Sequence, residues 1–180
     1  LVLKSQLDEA LVHYKQSLKI KPDNAEAHSN LGEAYRMRGQ ADEAMTHLRR
    51  SLELKPDFAD AHYNLGNTLL QKGRADEALV HYKRALEIKP DFAGTQNNLG
   101  NALFQKGEVD AAIEHFKKAL KLNPDYSEVH YNLANALSKK GQAVEAIAHY
   151  GKALAINPEN ADAHNNLGNA LREKGQLDEA

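Results

Sequence analysis

The prolines of this chain stand at one fixed interval of 34 residues. A period of this length is the signature of a repeat architecture, in which one small structural unit stacks against copies of itself. We number the positions of a repeat from 1 to 34, so that the repeat from Ala59 to Phe92 begins at position 1. The prolines at position 32 are Pro22, Pro56, Pro90, Pro124 and Pro158, and the glycines at position 15 are Gly39, Gly73, Gly107, Gly141 and Gly175.

Each repeat carries two amphipathic helical patterns. In the first, apolar residues occupy positions 3, 7, 10 and 11, which lie on one face of a helix. We expect this helix to end at the glycine of position 15, Gly175 included, because glycine readily adopts the left-handed conformation of a helix terminus. The second pattern follows an acidic pair such as Asp42 and Glu43 and ends before the proline, because the residue ahead of a proline avoids helical geometry.

Small residues at position 8 predict where the helices cross. A glycine inside a helix costs up to about 1 kcal/mol relative to alanine. Its repetition in phase therefore predicts that a neighbouring helix passes close by. The residues at position 8 are Gly32, Gly66, Gly100, Ala134 and Gly168.

These features resemble the tetratricopeptide repeat family over the whole chain. The match rests on Leu at position 7, Gly or Ala at position 8, Ala at position 20 and Pro at position 32. It departs at position 4, where the family often has Trp and this chain has His or Gln, and at Ser5, which replaces the glycine of position 15. The resemblance implies an all-α fold: an α-solenoid of stacked helix-turn-helix units that forms a right-handed superhelix, with the first helices lining its inner groove.

We expect a single array over residues 1–180. It consists of a partial unit over 1–24, full units over 25–58, 59–92, 93–126 and 127–160, and a partial unit over 161–180. No polar caps are visible, although repeat proteins need them at their ends for solubility. We therefore expect this chain to be a segment of a longer array. Alternatively, we expect end-to-end self-association between molecules.

Composition argues against several classes of partner. The net charge of −2 leaves no basic field to neutralise phosphates, so nucleic acid is not expected as a partner. The chain has no cysteine, which excludes disulfides and thiolate metal sites. No apolar run reaches the roughly 18 residues of a membrane span, and the first residues lack a signal-peptide layout. We expect no membrane partner and a cytoplasmic location.

Asparagines mark the candidate binding face. Positions 2, 5, 6, 9, 12 and 13 lie opposite the apolar face of the first helix, where we expect them to face solvent or a ligand. A carboxamide carries two donors and an acceptor, so it can bond to a peptide backbone whatever the side chains are. The row therefore predicts an extended protein or peptide ligand. Its members are Asn30, Asn64, Asn98, Asn132 and Asn166 at position 6, and Asn67, Asn101, Asn135 and Asn169 at position 9.

Other interpretations of this face stay open. One alternative is that the asparagines reflect copying of one ancestral unit, and another is that they bond to the next repeat and serve structure. Tyr63 and Tyr131 could provide apolar contacts for ligand side chains, or they could be scattered surface hydrophobics. An acidic row at position 2, which includes Glu128, either favours a basic ligand or is solvated.

The asparagine row also resembles the repeat domain of O-linked N-acetylglucosamine transferases, whose groove holds protein substrates by their backbone. The resemblance implies an alternative function, the substrate-recruiting region of a glycosyltransferase whose catalytic domain lies outside this chain. A different subfamily of these repeats binds chaperone tails through lysines at position 5. This chain has Ser, Tyr or Asn there, so chaperone-tail binding is disfavoured.

The remaining polar residues do not form a catalytic pattern. The nine histidines recur at positions 4 and 23, and equivalent positions on neighbouring helices lie about 8–10 Å apart, too far to share a zinc ion. We expect them to be structural, with no metal and no cofactor. Lysines and arginines at positions 25 and 26, such as Lys117 and Lys118, are expected to be solvated. The sequence predicts a protein-interaction scaffold, not an enzyme.

Overall fold

The two helical patterns of each repeat form two helices. The computed structural model describes the backbone of residues 2–178 and the side chains of residues 6–175. Within that range ten α-helices follow one another, which confirms the all-α, two-helix repeat. They are α1 (Val2–Ile20), α2 (Ala25–Met37), α3 (Ala41–Leu54), α4 (Ala59–Gln71), α5 (Ala75–Ile88), α6 (Ala93–Gln105), α7 (Val109–Leu122), α8 (Ser127–Lys139), α9 (Ala143–Ile156) and α10 (Ala161–Asp178).

The helices belong to two compact bodies, an N-terminal body of residues 1–90 and a C-terminal body of residues 91–180. In the N-terminal body α2 packs on α3, α3 packs on α4, and α2 also contacts α4. In the C-terminal body α7 and α9 each pack on the helices before and after them, and α8 contacts both α6 and α10. The first helices of successive repeats are therefore direct neighbours within each body.

The glycines of position 15 terminate the first helices as predicted. Gly39 has a φ of 81°, and the N–H groups of Gly39 and Gln40 donate to the carbonyls of Arg36 and Tyr35, each at 2.9 Å. This is the Schellman arrangement, which satisfies carbonyls at a helix end. The same positive φ occurs at Gly73, Gly107 and Gly141.

The prediction for Gly175 is wrong. This glycine lies inside α10, which continues to Asp178. A left-handed turn is favourable where the next helix folds back and buries its apolar face, and within the described residues no helix folds back after Gly175. Ser5, at the same repeat position, likewise lies within α1.

The helices cross at position 8, as the small residues predicted. A Cβ atom at Gly66 would lie 2.6 Å from Cε1 of Tyr82, and one at Gly100 would lie 2.6 Å from Cε1 of Phe116. Tyr82 and Phe116 are buried on the second helix of the same repeat. At Gly168 a Cβ would meet no described heavy atom within 4 Å. The missing side chain thus leaves room for Tyr82 and Phe116 at Gly66 and Gly100, whereas the repeat of residues 127–160 accommodates the small Ala134 at this position, which is 0% exposed.

Alanine at position 20 completes this core. Ala44, Ala78, Ala112 and Ala146 each have 0% of their surface exposed, because the first helix lies directly against them.

Among the described residues no helix is both long and apolar enough to cross a membrane.

Candidate ligand-binding face

The asparagines of positions 6 and 9 lie on the first helix of each repeat. Asn30 and Asn169 are exposed, whereas the other members of the row are half-buried. Half-burial distinguishes the row from an ordinary solvated helix face. The hydrogen-bond partners of each carboxamide determine which of its donors and acceptors are available to a ligand.

In the C-terminal body the carboxamides bond to one another across repeats. Oδ1 of Asn135 accepts a hydrogen bond from the hydroxyl of Tyr150 at 2.6 Å and another from Nδ2 of Asn166 at 3.0 Å. The Nδ2 group of Asn135 has no hydrogen-bond partner among residues 6–175. The oxygen thus fixes the orientation of the amide, while its two N–H donors stay available.

The N-terminal body repeats part of this arrangement. The hydroxyl of Tyr82 donates to Oδ1 of Asn67 at 2.9 Å. At the preceding repeat Glu33 replaces asparagine at position 9, and Arg36 donates to both of its carboxylate oxygens, at 2.7 and 2.8 Å. The hydrogen bonds to Glu33 raise the pKa of Arg36, so the pair stays charged. A bidentate ion pair therefore takes the place of one carboxamide.

The prediction that position 5 lies on the exposed face is wrong for two of its residues. Ser29 and Asn97 are only 1% and 0% exposed. They lie at the seam where first helices of successive repeats pack together. Asn97 is satisfied there, because its Nδ2 donates to Oε1 of Glu128 and its Oδ1 accepts from Nδ2 of Asn132, both at 3.0 Å.

The tyrosines of position 5 are half-buried and rest on other tyrosines. The ring centroid of Tyr63 lies 6.4 Å from that of Tyr82, and the centroid of Tyr131 lies 6.1 Å from that of Tyr150. The hydroxyl of Tyr131 also lies 3.3 Å from Nδ2 of Asn166. These rings support the carboxamide row from within their own body.

One cavity opens on this face of the C-terminal body. It has a volume of about 300 Å³ and is lined by Asn135, Ser138, Lys139, Asn166 and Asn169, together with Tyr150 and Glu173. The structure thus brings three predicted site residues, Asn135, Asn166 and Asn169, to one polar cavity. The lining supplies hydrogen-bond donors, acceptors and both signs of charge, which suits a peptide backbone with polar side chains.

The chain matches one protein family along most of its length. A model described as "TPR repeat" matches residues 1–37, 32–73, 66–107, 100–141 and 137–175. This chain belongs to the tetratricopeptide repeat family. TPR domains are generally scaffolds for protein interactions and are typically non-catalytic. No curated protein sequence matches the chain at a significant level.

Solved structures show the same TPR fold. The chain is similar to MamA, with 28% identity, a TM-score of 0.76, and coverage of 89% of this chain and 94% of that one. PilF of Pseudomonas aeruginosa is 25% identical over 90% of this chain and 74% of its own, with a TM-score of 0.82. TTC0263 of Thermus thermophilus, a thermophilic TPR protein, is 25% identical over 94% and 93%, with a TM-score of 0.76.

The histidines of this TPR protein form pairs that the sequence analysis missed. Nδ1 of His62 lies 3.0 Å from Nδ1 of His81, and the same atoms of His130 and His149 lie 2.9 Å apart. Position 4 faces position 23 of its own repeat, so the two histidines are much closer than equivalent histidines of neighbouring repeats. The signal in the sequence was the constant spacing of 19 residues. Among the described residues no group of three or more possible metal ligands occurs.

Burial favours the neutral form of His81 and His149. It lowers the pKa of His81 to about 4, with a further contribution from the neighbouring His62. Burial lowers the pKa of His149 to about 4 in the same way, assisted by His130 and by nearby lysines. Both values lie well below the ordinary histidine pKa of 6.5.

We expect acid to destabilise the array through these pairs. As the pH falls from 6.5 towards 4, the unfolded chain takes up protons that folded His81 and His149 do not accept. The free energy of unfolding should be highest above pH 6.5 and fall across this range by about 1 to 2 kcal/mol per pair, since the half-exposed rings are screened by solvent. Urea unfolding at pH 7.5 and pH 5 measures the difference. The variant His81→Gln with His149→Gln should lose less than the parent, as Gln96 already pairs with His115 at 2.7 Å; equal losses would exclude the pairs as the cause.

Proposed function

We propose that this TPR array binds an extended polypeptide segment along the side formed by its first helices, and that the carboxamides of positions 6 and 9 hold the ligand's backbone. The observation that carries the proposal is the carboxamide of Asn135. Its oxygen is occupied by Tyr150 and Asn166, and its donors are available at a cavity shared with Asn169.

Internal hydrogen bonds favour binding as well as stability. A side chain that is already held in one orientation loses little rotamer entropy when a ligand binds, so more of the interaction energy appears as affinity. The carboxamide of Asn135 therefore serves two roles, because its oxygen is bonded to Tyr150 and Asn166 while its two N–H donors are directed to the ligand. This arrangement accommodates both interpretations that the sequence left open.

The spacing of the helices suits an extended chain. Neighbouring packed helices lie about 8–10 Å apart, and an extended chain advances about 3.3 Å per residue. One repeat therefore serves about three ligand residues. Position 12 varies along the array, as in Leu70, Phe104, Ser138 and Arg172, and could select among ligand side chains.

Two other functions use the same structure and remain predictions. A substrate-recruiting region of a glycosyltransferase would use the same carboxamide row, with the chemistry located outside this chain. End-to-end self-association would use the ends of the array, and sedimentation across a range of concentrations tests it. A cytoplasmic location likewise remains part of the proposal.

Nuclear magnetic resonance tests the role of the carboxamides directly. Peptides are first selected from a random-sequence library for binding to the chain, and the best one is titrated into ¹⁵N-labelled protein. We expect the side-chain amide signals of Asn135, Asn166 and Asn169 to shift. The exposed Asn123 and Asn157, which lie off the row, provide the control. If binding moves signals elsewhere and leaves the three row amides unchanged, the proposed site is wrong.

A further inference from the structure

A second and larger cavity lies on a different face of the C-terminal body. It has a volume of about 610 Å³, and its lining includes Lys117, His130, Leu133, His149, Lys152 and Ile156. We call it the histidine cavity. None of its lining residues belongs to the carboxamide row, so the function proposed above does not use it.

The hydrogen bonds around the histidine cavity assign its protons. Nε2 of His130 lies 2.9 Å from the carbonyl oxygen of Pro124, which can only accept, so this nitrogen carries a proton. Nδ1 of neutral His130 is then an acceptor, and Nδ1–H of His149 donates to it at 2.9 Å. Nε2 of His149 is left unprotonated, without a partner among residues 6–175.

The charge around the cavity is mainly positive. Lys117 on α7 and Lys152 on α9 form no ion pair with any described side chain. Both lower the pKa of His149, in addition to burial and His130, which shows that their potential reaches the cavity. Asp125, in the loop before α8, is the one acidic residue in the lining.

The walls of the cavity are apolar. Leu120 and Leu133 line it together with Ile156, which is 41% exposed. A similar cavity of about 460 Å³ occurs in the N-terminal body, where Arg49 stands at the position of Lys117, beside His62, Leu65 and His81. A cation, a histidine pair and leucine walls therefore recur in this second cavity, where Glu53 also contributes to the lining.

We propose that the histidine cavity binds an acidic polypeptide segment, with a carboxylate of the ligand on Lys117 and Lys152 and a neighbouring apolar side chain against Leu133 and Ile156. Charge complementarity identifies the occupant, because two unpaired ammonium groups flank an apolar surface. His149 lines the same cavity as both lysines, so a carboxylate bound to them would favour the charged form of its imidazole.

Fluorescence anisotropy tests the site with a labelled peptide of alternating glutamate and leucine. The variant Lys117→Ala with Lys152→Ala should bind this peptide about 10-fold more weakly or worse. Lys118→Ala is the matched control, because Lys118 is exposed beside Lys117 but does not line the cavity; it should change affinity less than about 2-fold. Equal losses in the two variants, or equally tight binding of a glutamine–leucine peptide, would overturn the proposal.

The pKa of His149, followed by its ring proton signals, gives a second readout. The glutamate–leucine peptide should raise this pKa by about one unit or more, since a bound carboxylate favours the charged imidazole. An unchanged pKa in the bound state would contradict the proposed position of the carboxylate. Efficient displacement of the peptide by a single-stranded oligonucleotide would likewise contradict a polypeptide as the occupant.

Discussion

Replacing Gly100 by alanine is expected to lower the free energy of unfolding by about 2 kcal/mol. The new Cβ would lie 2.6 Å from Cε1 of Phe116, closer than real Cβ contacts come. The ring is 1% exposed, so the buried side chains around it must shift to admit the new methyl group. Overpacking of this kind costs about 1–3 kcal/mol, and the better helix propensity of alanine offsets only up to about 1 kcal/mol.

Gly168→Ala is the matched control for this prediction. Gly168 occupies the same repeat position in α10, and a Cβ there meets no described atom within 4 Å. Only the propensity effect remains, so this variant should be more stable than the parent by up to about 1 kcal/mol. Urea unfolding followed by circular dichroism measures both changes. If the two variants move in the same direction, the close crossing at position 8 is not the reason for the glycine.

Removing three carboxamides of the row is expected to weaken binding of an extended polypeptide about 10-fold or more. The change is Asn132→Ala, Asn135→Ala and Asn166→Ala together, all within the C-terminal body. Each amide that bonds to the ligand backbone contributes about 0.5 to 1.5 kcal/mol, so three of them contribute about 1.5 to 4.5 kcal/mol. Titration calorimetry with a selected peptide measures the loss.

The stability of this variant needs its own measurement. Asn132 and Asn166 also bond to the preceding repeat, so a moderate loss of stability accompanies the loss of affinity. Binding is therefore measured well below the melting temperature of the variant. The double variant Asn123→Ala with Asn157→Ala removes the same groups from exposed positions outside the first helices and should bind like the parent. Unchanged affinity in the triple variant, with lower stability, would assign the row a purely structural role.

Periodicity made the repeat predictable. Gly39 and its equivalents form a left-handed turn, and Gly66 and Gly100 lie where two helices cross closely. Because each repeat has the same two features, glycine recurs in the sequence at a fixed interval. Gly175 shows the limit of this reasoning. The same residue at the same position lies within a helix, because the turn depends on the helix that should pack after it.

The site was less predictable than the fold, because its hydrogen bonds join side chains of different helices. A helical wheel places Asn97 on the polar side of α6, but the seam with the next first helix buries it. Likewise, nothing within one helix indicates that Oδ1 of Asn135 is occupied by Tyr150 and Asn166. Composition and spacing identified the correct residue types, whereas their partners depend on how neighbouring repeats pack.

Ester substitution along a bound peptide tests most directly whether the array recognises polypeptide backbone. Each peptide bond of a selected ligand is replaced in turn by an ester, which removes one N–H donor and weakens one carbonyl acceptor while the side chains stay the same. We expect affinity losses of about 2- to 10-fold at intervals of about three residues, following the spacing of the first helices. An ester series without effect, alongside an alanine scan that abolishes binding, would contradict the account.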